Sequence, residues 1–147
     1  MTKRDTDLAM TVLNAATLVV DGIQEGMARR GFADVRPAHG FAFVRISQGD
    51  ATVLDVAEHL GVTKQAASQL VEQLVSRRYV KRVADPGDAR RRLLVLTARG
   101  RACTQAAEES AAEAVAAWRP TLGAAGLKSL YELLGSLDRT GPLRPAW

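Results

Sequence analysis

The stretch Thr52–Thr97, TVLDVAEHLGVTKQAASQLVEQLVSRRYVKRVADPGDARRRLLVLT, decides the fold. Thr52 precedes an apolar-periodic run and has Asp55 three residues on. In that spacing a threonine and an acid each satisfy a backbone N–H at a helix start. A short helix over about 52–60 should bury Val56, Ala57 and Leu60. Gly61 closes it, Val62 is expected in the core, and Thr63 caps a further helix reaching about Arg77. That helix buries Ala67, Leu70, Val71 and Leu74 on one side. Two short helices joined by a tight glycine turn make a helix-turn-helix unit. Next, Tyr79–Ala84 and Leu93–Leu96 are rich in β-formers and flank Asp85-Pro86-Gly87-Asp88-Ala89-Arg90-Arg91-Arg92. Pro-Gly between acids is turn chemistry, so an antiparallel hairpin with a long basic tip is expected.

Helices extend the pattern on both sides. Leu8, Val12, Ala16, Val19, Ile23 and Met27 form one apolar stripe over 5–30, which Gly31 ends. Pro37 fits the first turn of a helix over about 37–46 that buries Phe41, Val44 and Phe43. Thr97 caps an Ala-rich helix over about 97–118, and a last helix over about 121–138 carries Leu127, Leu130, Tyr131, Leu134 and Leu137. The tail at 139–147 has two prolines and is expected to be loose. The fold class is therefore mainly α with a small antiparallel β-hairpin wing: a winged helix-turn-helix over 37–96, flanked by further helices at 5–30 and 97–138. At 147 residues this is one domain's worth of chain, 1–147. Aromatic residues are only 5%, so the core has to be built from Leu, Val, Ile and Ala. No uninterrupted apolar run reaches the roughly 18–20 residues that span a bilayer, and no signal h-region opens the chain. A cytoplasmic location is expected.

Charge is unevenly distributed. Residues 77–101 hold nine Lys or Arg against Asp85 and Asp88, a net +7, which leaves −3 for the rest of a chain of +4 overall. Positive charge confined to one segment suggests a polyanion-binding patch. The helix after Thr63 supports that reading. Lys64, Gln65, Ser68 and Gln69 lie opposite its apolar residues and near its N-terminus, where a recognition helix meets base edges in a major groove. Gln bonds adenine in bidentate fashion, Ser bonds various edges or a phosphate, and Lys neutralises phosphate. Lys81 and Arg82 can add backbone contacts. Arg90, Arg91 and Arg92 cannot all point the same way on a strand, so one or two of them are expected at an adjacent minor groove. Asp88 is expected to pair with an arginine and brace the hairpin.

These residues resemble a known family. Gly61-Val62-Thr63-Lys64-Gln65, Leu70-Val71, Leu74, Arg78-Tyr79-Val80, Asp85-Pro86-Gly87-Asp88-Ala89-Arg90-Arg91, Leu96-Thr97 and Gly100 look like the core signature of the MarR regulators. The likeness covers roughly 8–138 in element order and is specific over Leu54–Gly100. It implies a homodimer whose first, fifth and sixth helices interlock, with a winged helix-turn-helix at each lower corner. It also implies a repressor that binds palindromic double-stranded DNA and is released by a small-molecule ligand, an oxidant or a metal. Asp88 and Arg90 match the family's bracing aspartate and minor-groove arginine, while Ala89 replaces a common arginine. Thr63, Lys64, Gln65, Ser68 and Gln69 occupy positions where relatives contact DNA, and Gln69 replaces a frequent arginine. By position, Arg36, His39, Phe43 and Arg45 should border an effector cavity.

Other chemistry finds little support in the sequence. Cys103 is the single cysteine and is expected to be a buried small side chain rather than a redox sensor. His39 and His59 show no metal-ligand spacing. The sequence contains no G-x-x-x-x-G-K, no G-x-G-x-x-G after a strand and no H-E-x-x-H, so no catalytic residue, metal or cofactor is expected. The rival reading is a winged-helix module that binds another protein, against which the basic hairpin argues, because interface cores are depleted in charge.

Overall fold

A computed structural model describes residues 2–137. The tail expected at 139–147 lies outside the described residues. The element order is α1 (Lys3–Arg29), α2 (Pro37–Ser47), α3 (Val53–Leu60), α4 (Lys64–Ser76), β1 (Val80–Asp85), β2 (Asp88–Leu96), α5 (Ala98–Ala116) and α6 (Arg119–Gly135). This is the expected winged helix-turn-helix with flanking helices. Contacts divide the described residues into two compact units: 34–105, and 2–33 together with 106–137.

In the Asp34–Gln105 unit, side-chain caps set the helix starts. The Thr52 hydroxyl accepts from the Asp55 N–H, and the Asp55 carboxylate accepts from the Thr52 N–H at 2.7 Å. The Thr63 hydroxyl accepts from the Ala66 N–H at 3.1 Å. Gly61 ends α3 at φ 68, a left-handed conformation that costs an L side chain but not glycine. The chain reverses there so that α4 can return across α3. Val62 leaves this turn 43% exposed instead of buried, with its N–H bonded back to the Ala57 carbonyl.

The core of this unit holds Ala42, Phe43 and Ile46 from α2, Val56, Ala57 and Leu60 from α3, and Ala67, Val71 and Leu74 from α4. Tyr79, Val80, Leu93, Leu94, Leu96 and Cys103 complete it. Fully burying each large apolar side chain stabilises by about 1.5–3 kcal/mol. The buried face of α2 differs from the expected one. His39, Ala42, Phe43 and Ile46 point inward at i, i+3, i+4 and i+7, while Phe41 is half-buried and Val44 is 47% exposed. Two apolar phases compete in this short helix, and the polar His39 fixes which one wins. Its Nδ1 accepts from the Arg36 N–H at 2.9 Å and its Nε2 lies 3.2 Å from the Gln73 side-chain oxygen. The imidazole can therefore be buried with both nitrogens satisfied.

The hairpin is tighter than expected at its tip. β1 and β2 pair antiparallel from Val80↔Leu96 to Ala84↔Arg92, and Pro86 and Gly87 alone make the turn. Arg90, Arg91 and Arg92 thus belong to a strand, not to a loop. The register breaks between Ala84 and Asp85: Asp85 faces Asp88, so Ala89, Arg90 and Arg91 oppose no residue of β1. Such a bulge bends the strand and re-aims its side chains. Ala51 adds a bridge to Leu94, whose N–H reaches the Ala51 carbonyl at 2.7 Å. After β2, the Thr97 hydroxyl accepts from the Gly100 N–H and starts α5. A Cβ on Gly100 would stand 2.2 Å from the Tyr79 carbonyl oxygen, so only glycine lets α5 pass that close to the backbone.

In the other unit, α1 and α5 cross closely. A Cβ on Gly26 would meet Ser110 at 2.6 Å and one on Gly22 would meet Ala114 at 2.8 Å. Arg30 sits beside this crossing and pairs with Glu109 and Glu113. The expected α1 stripe is buried only at Met27; Leu8 (63%) and Val12 (45%) are exposed. The helix expected over 121–138 starts as a turn at Arg119 and restarts after Gly123, which breaks the helical path at φ 67, ψ 173. Taken as a whole, α1 is long and apolar enough to cross a membrane by length and composition, which counting uninterrupted apolar runs did not register.

Two stability tests follow from this packing. Gly100→Ala should cost about 2–3 kcal/mol in urea unfolding, since backbone, not a flexible side chain, blocks the methyl group. Gly40→Ala, within α2 and with open space around it, should instead gain roughly 0.5–1 kcal/mol. His39 governs a pH effect. Burial first, outweighing the Gln73 bond, lowers its pKa below the usual 6.5. The unfolded chain therefore binds this proton more readily, and the stability His39 contributes is present above about pH 6.5 and lost as pH falls below it. His39→Asn, which retains an acceptor for the Arg36 N–H, should flatten that part of the urea-midpoint curve.

Candidate nucleic-acid interface

The inner face of α4, Ala67, Val71 and Leu74, is fully buried and fixes how the helix is turned. That places Lys64, Gln65 and Gln69 outward, with Ser68 half-exposed beside them and the Thr63 cap at the head of the helix. The side chains of Lys64, Gln65, Ser68 and Gln69 make no hydrogen bond or ion pair among the described residues. The helix start adds a partial positive charge from its unpaired N–H groups. One turn further on, Glu72 pairs with Arg82 of β1 and ties the helix to the hairpin.

The hairpin cations fall into two groups. Arg82 and Arg91 have carboxylate partners on the protein: Glu72 for the first, Asp85 at 3.2 Å and Asp55 at 3.9 Å for the second. Lys81, Arg90 and Arg92 are exposed, and their side chains have no partner among the described residues. Asp88 does not pair with an arginine side chain; its carboxylate accepts from the Arg90 backbone N–H at 2.9 Å and holds the bulge from within. Asp55 lies where several elements meet. Bonds from Thr52, then the charges of Arg45 and Arg91, hold its carboxyl below the usual range.

The residues expected to border an effector cavity are placed differently from one another. Phe43 is 2% exposed and lies 5.8 Å from the Tyr79 ring, and His39 has both nitrogens engaged. Arg45 donates to the Gly49 carbonyl and pairs with Asp55, which leaves Arg36 exposed at the head of α2. A shallow apolar depression of about 280 Å³ lies in the other unit, lined by Ala15, Leu18, Ala117, Trp118, Thr121, Leu122 and Leu130. Cys103 is fully buried, and burial pushes its thiol up to about 12. Among the described residues no three His, Cys, Asp or Glu side chains gather to hold a metal ion.

One polar cluster was not legible from the sequence. The Tyr79 hydroxyl donates to Asp34 at 2.8 Å, Arg99 donates to the same hydroxyl at 3.0 Å, and the Arg99 guanidinium stacks 4.5 Å from the ring centre. Burial and the Asp34 carboxylate push the phenol up to about 12. Arg77 also reaches the Asp34 carbonyl. These residues are 20 or more positions apart in several cases, and no motif spacing links them.

Comparison with known proteins places this architecture. Residues 35–91 match the MarR family profile. Among curated proteins none matches the sequence. The YusO protein from Bacillus subtilis superposes with a TM-score of 0.71 at 17% identity, covering 92% of this chain and 96% of that one. A Mycobacterium tuberculosis MarR family protein in complex with salicylic acid gives 0.67 at 23%, covering 89% and 96%. A mutant of MepR from S. aureus bound to an oligodeoxyribonucleotide gives 0.66 at 19%, covering 94% and 100%. At these identities the solved structures establish likeness of fold, and the profile match falls on the segment that carries α2, α3, α4, β1 and the bulge. Residues 35–91 thus match the MarR family, and the chain that carries them has the fold seen in solved MarR-family proteins.

Proposed function

We propose that this chain is a homodimeric, sequence-specific DNA-binding transcription regulator that acts in the cytoplasm as a repressor on a palindromic operator. The observation that carries the proposal is the coincidence, in one compact unit, of two sets of exposed and unpaired polar side chains. One is Lys64, Gln65, Ser68 and Gln69 at the start of a helix whose opposite face is locked in the core. The other is Arg90, Arg92 and Lys81 on a bulged hairpin. In this reading α4 enters a major groove with Gln65 and Gln69 at base edges, while Arg90 reaches the neighbouring minor groove. Thr63, Lys64, Lys81 and Arg92 meet phosphates, which position the protein without carrying sequence information. Arg82 adds its charge from beside Glu72.

Dimerisation is part of the same proposal. Leu8, Met10, Leu13 and Leu18 of α1 and Tyr131, Leu133, Leu134 and Leu137 at the C-terminal end are all more than 40% exposed. So much apolar surface needs a partner, and a second copy supplies a complementary one by symmetry. The same surface accounts for the apolar character of α1 without a membrane. One helix-turn-helix reads few base pairs, whereas two copies about one helical turn apart read a palindrome. A small-molecule effector belongs to the reading because one relative was solved with salicylic acid and another with p-coumaroyl-CoA. No catalytic chemistry is assigned to the chain.

Selection of bound sites from random duplexes with purified protein tests the function. It should return a palindromic consensus, and the log-log salt slope should be about −0.9 per phosphate neutralised. Arg90→Ala should weaken binding to the selected duplex by about 1–3 kcal/mol, read by gel shift. Gln65→Ala should change the selected consensus more than the non-specific affinity. Purified protein that stays monomeric and ignores duplexes at low salt overturns the proposal, and salt-insensitive capture of a protein partner would replace it with the protein-binding module.

A further inference from the structure

Ala89, Arg90 and Arg91 oppose no residue of β1, so the strand ladder does not hold them in place. Three unpaired residues at the end of a two-stranded ribbon need other restraints if a side chain there is to be aimed. Asp88 supplies one, through the Arg90 N–H. The rest come from a single side chain. Arg91 Nη1 donates to Asp85 at 3.2 Å, across the turn. Arg91 Nη2 lies 3.5 Å from the Asp50 carbonyl and 3.9 Å from the Asp55 carboxylate, both outside the hairpin. Asp55 is itself held by Thr52 at the head of α3 and shared with Arg45 of α2. The Asp85 carboxylate also accepts from the Gly87 N–H and is only 17% exposed. Arg91 therefore joins the bulge, the turn and the α2–α3 loop through two acceptors, Asp85 and the Asp50 carbonyl, and reaches α3 through a longer ion pair with Asp55.

We infer that Arg91 is a positioning residue, clipping the bulged hairpin tip to the head of α3 so that Arg90 is presented to the minor groove, and that it acts through Arg90 instead of contacting DNA itself. The inference rests on the DNA-binding reading above and specifies which of the three consecutive arginines does what. An exposed arginine on a free tip would lose conformational entropy on binding. One on a pre-fixed tip loses less, and its affinity gains accordingly. An isolated exposed ion pair contributes little, but a guanidinium shared among several fixed acceptors is restrained in a way that a single pair is not.

The sign of one substitution separates this role from general electrostatics. Asp85→Asn keeps an acceptor for the Gly87 N–H, removes the ion pair with Arg91 and raises the net charge by one. Attraction to DNA alone would make that variant bind more tightly. The clip predicts instead binding about three- to tenfold weaker to a labelled duplex recovered by the selection. Arg90→Ala should then lose most of its effect in an Arg91→Gln background, because the two residues act in series. Arg91→Lys keeps the charge but cannot span the same acceptors, and should bind more weakly than the parent. Urea midpoints of all variants should stay near that of the parent chain, which separates placement from unfolding. Asp85→Asn binding as tightly as the parent or more so overturns the inference, as do additive effects at 90 and 91 with full binding by Arg91→Lys. Absence of duplex binding by the parent chain would count against the DNA-binding reading itself.

Discussion

Tyr79 is the residue around which the Asp34–Gln105 unit is arranged. Its ring is fully buried beside Phe43 of α2, and its hydroxyl is held between Asp34 and Arg99. Its carbonyl accepts from the Thr97 N–H and hydroxyl while Gly100 passes directly over it. Its N–H closes the end of α4 on the Leu74 carbonyl. One residue thus fixes the exit of α4, the start of β1, the entry to α5 and the segment before α2. A buried phenol costs free energy unless its hydroxyl is paired, and here both a carboxylate and a guanidinium pair it. The direction in which α4 and the hairpin face depends on this anchor.

Much of this was legible in the sequence, and for physical reasons. Thr52, Thr63, Thr97 and Gly61 mark helix ends through local hydrogen bonds and backbone preference, which act within a few residues. The period of Ala67, Val71 and Leu74 is likewise a local fact. The buried face of α2 was decided by packing at a distance, and two other features by side-chain detail that spacing does not encode. Val44 and Phe41 yielded the α2 core face to His39 because Gln73, 34 positions away, could satisfy the imidazole. Val62 was apolar but sat on the outside of a turn. The long hairpin tip became a two-residue turn with a bulge because Asp85, Asp88 and Arg91 stabilise that geometry through side chains.

The candidate site was legible as a set of residue types but not as a division of labour. Reading 77–101 as a basic segment treats its charges as equivalent. Carboxylates from α3, α4 and the turn neutralise Arg82 and Arg91 and leave Lys81, Arg90 and Arg92 uncompensated. Two of those acids, Asp55 and Glu72, lie outside the segment, and only folding brings them near. The acidic remainder of the chain is therefore not merely a diluent for the basic part. Glu72 and Asp55 link α4 and α3 to the hairpin, giving the basic surface a defined shape as well as a sign.

The burial of Cys103 has a consequence for how such a protein can respond to its surroundings. Peroxides and other electrophiles attack the sulfur anion, not the neutral thiol. Burial pushes this thiol up to about 12, so it stays protonated at neutral pH. The sulfur is also enclosed on every side, with no second cysteine in the sequence to complete a bridge. The sole sulfhydryl is thus packed as a small apolar side chain and held in its protonated, less reactive form.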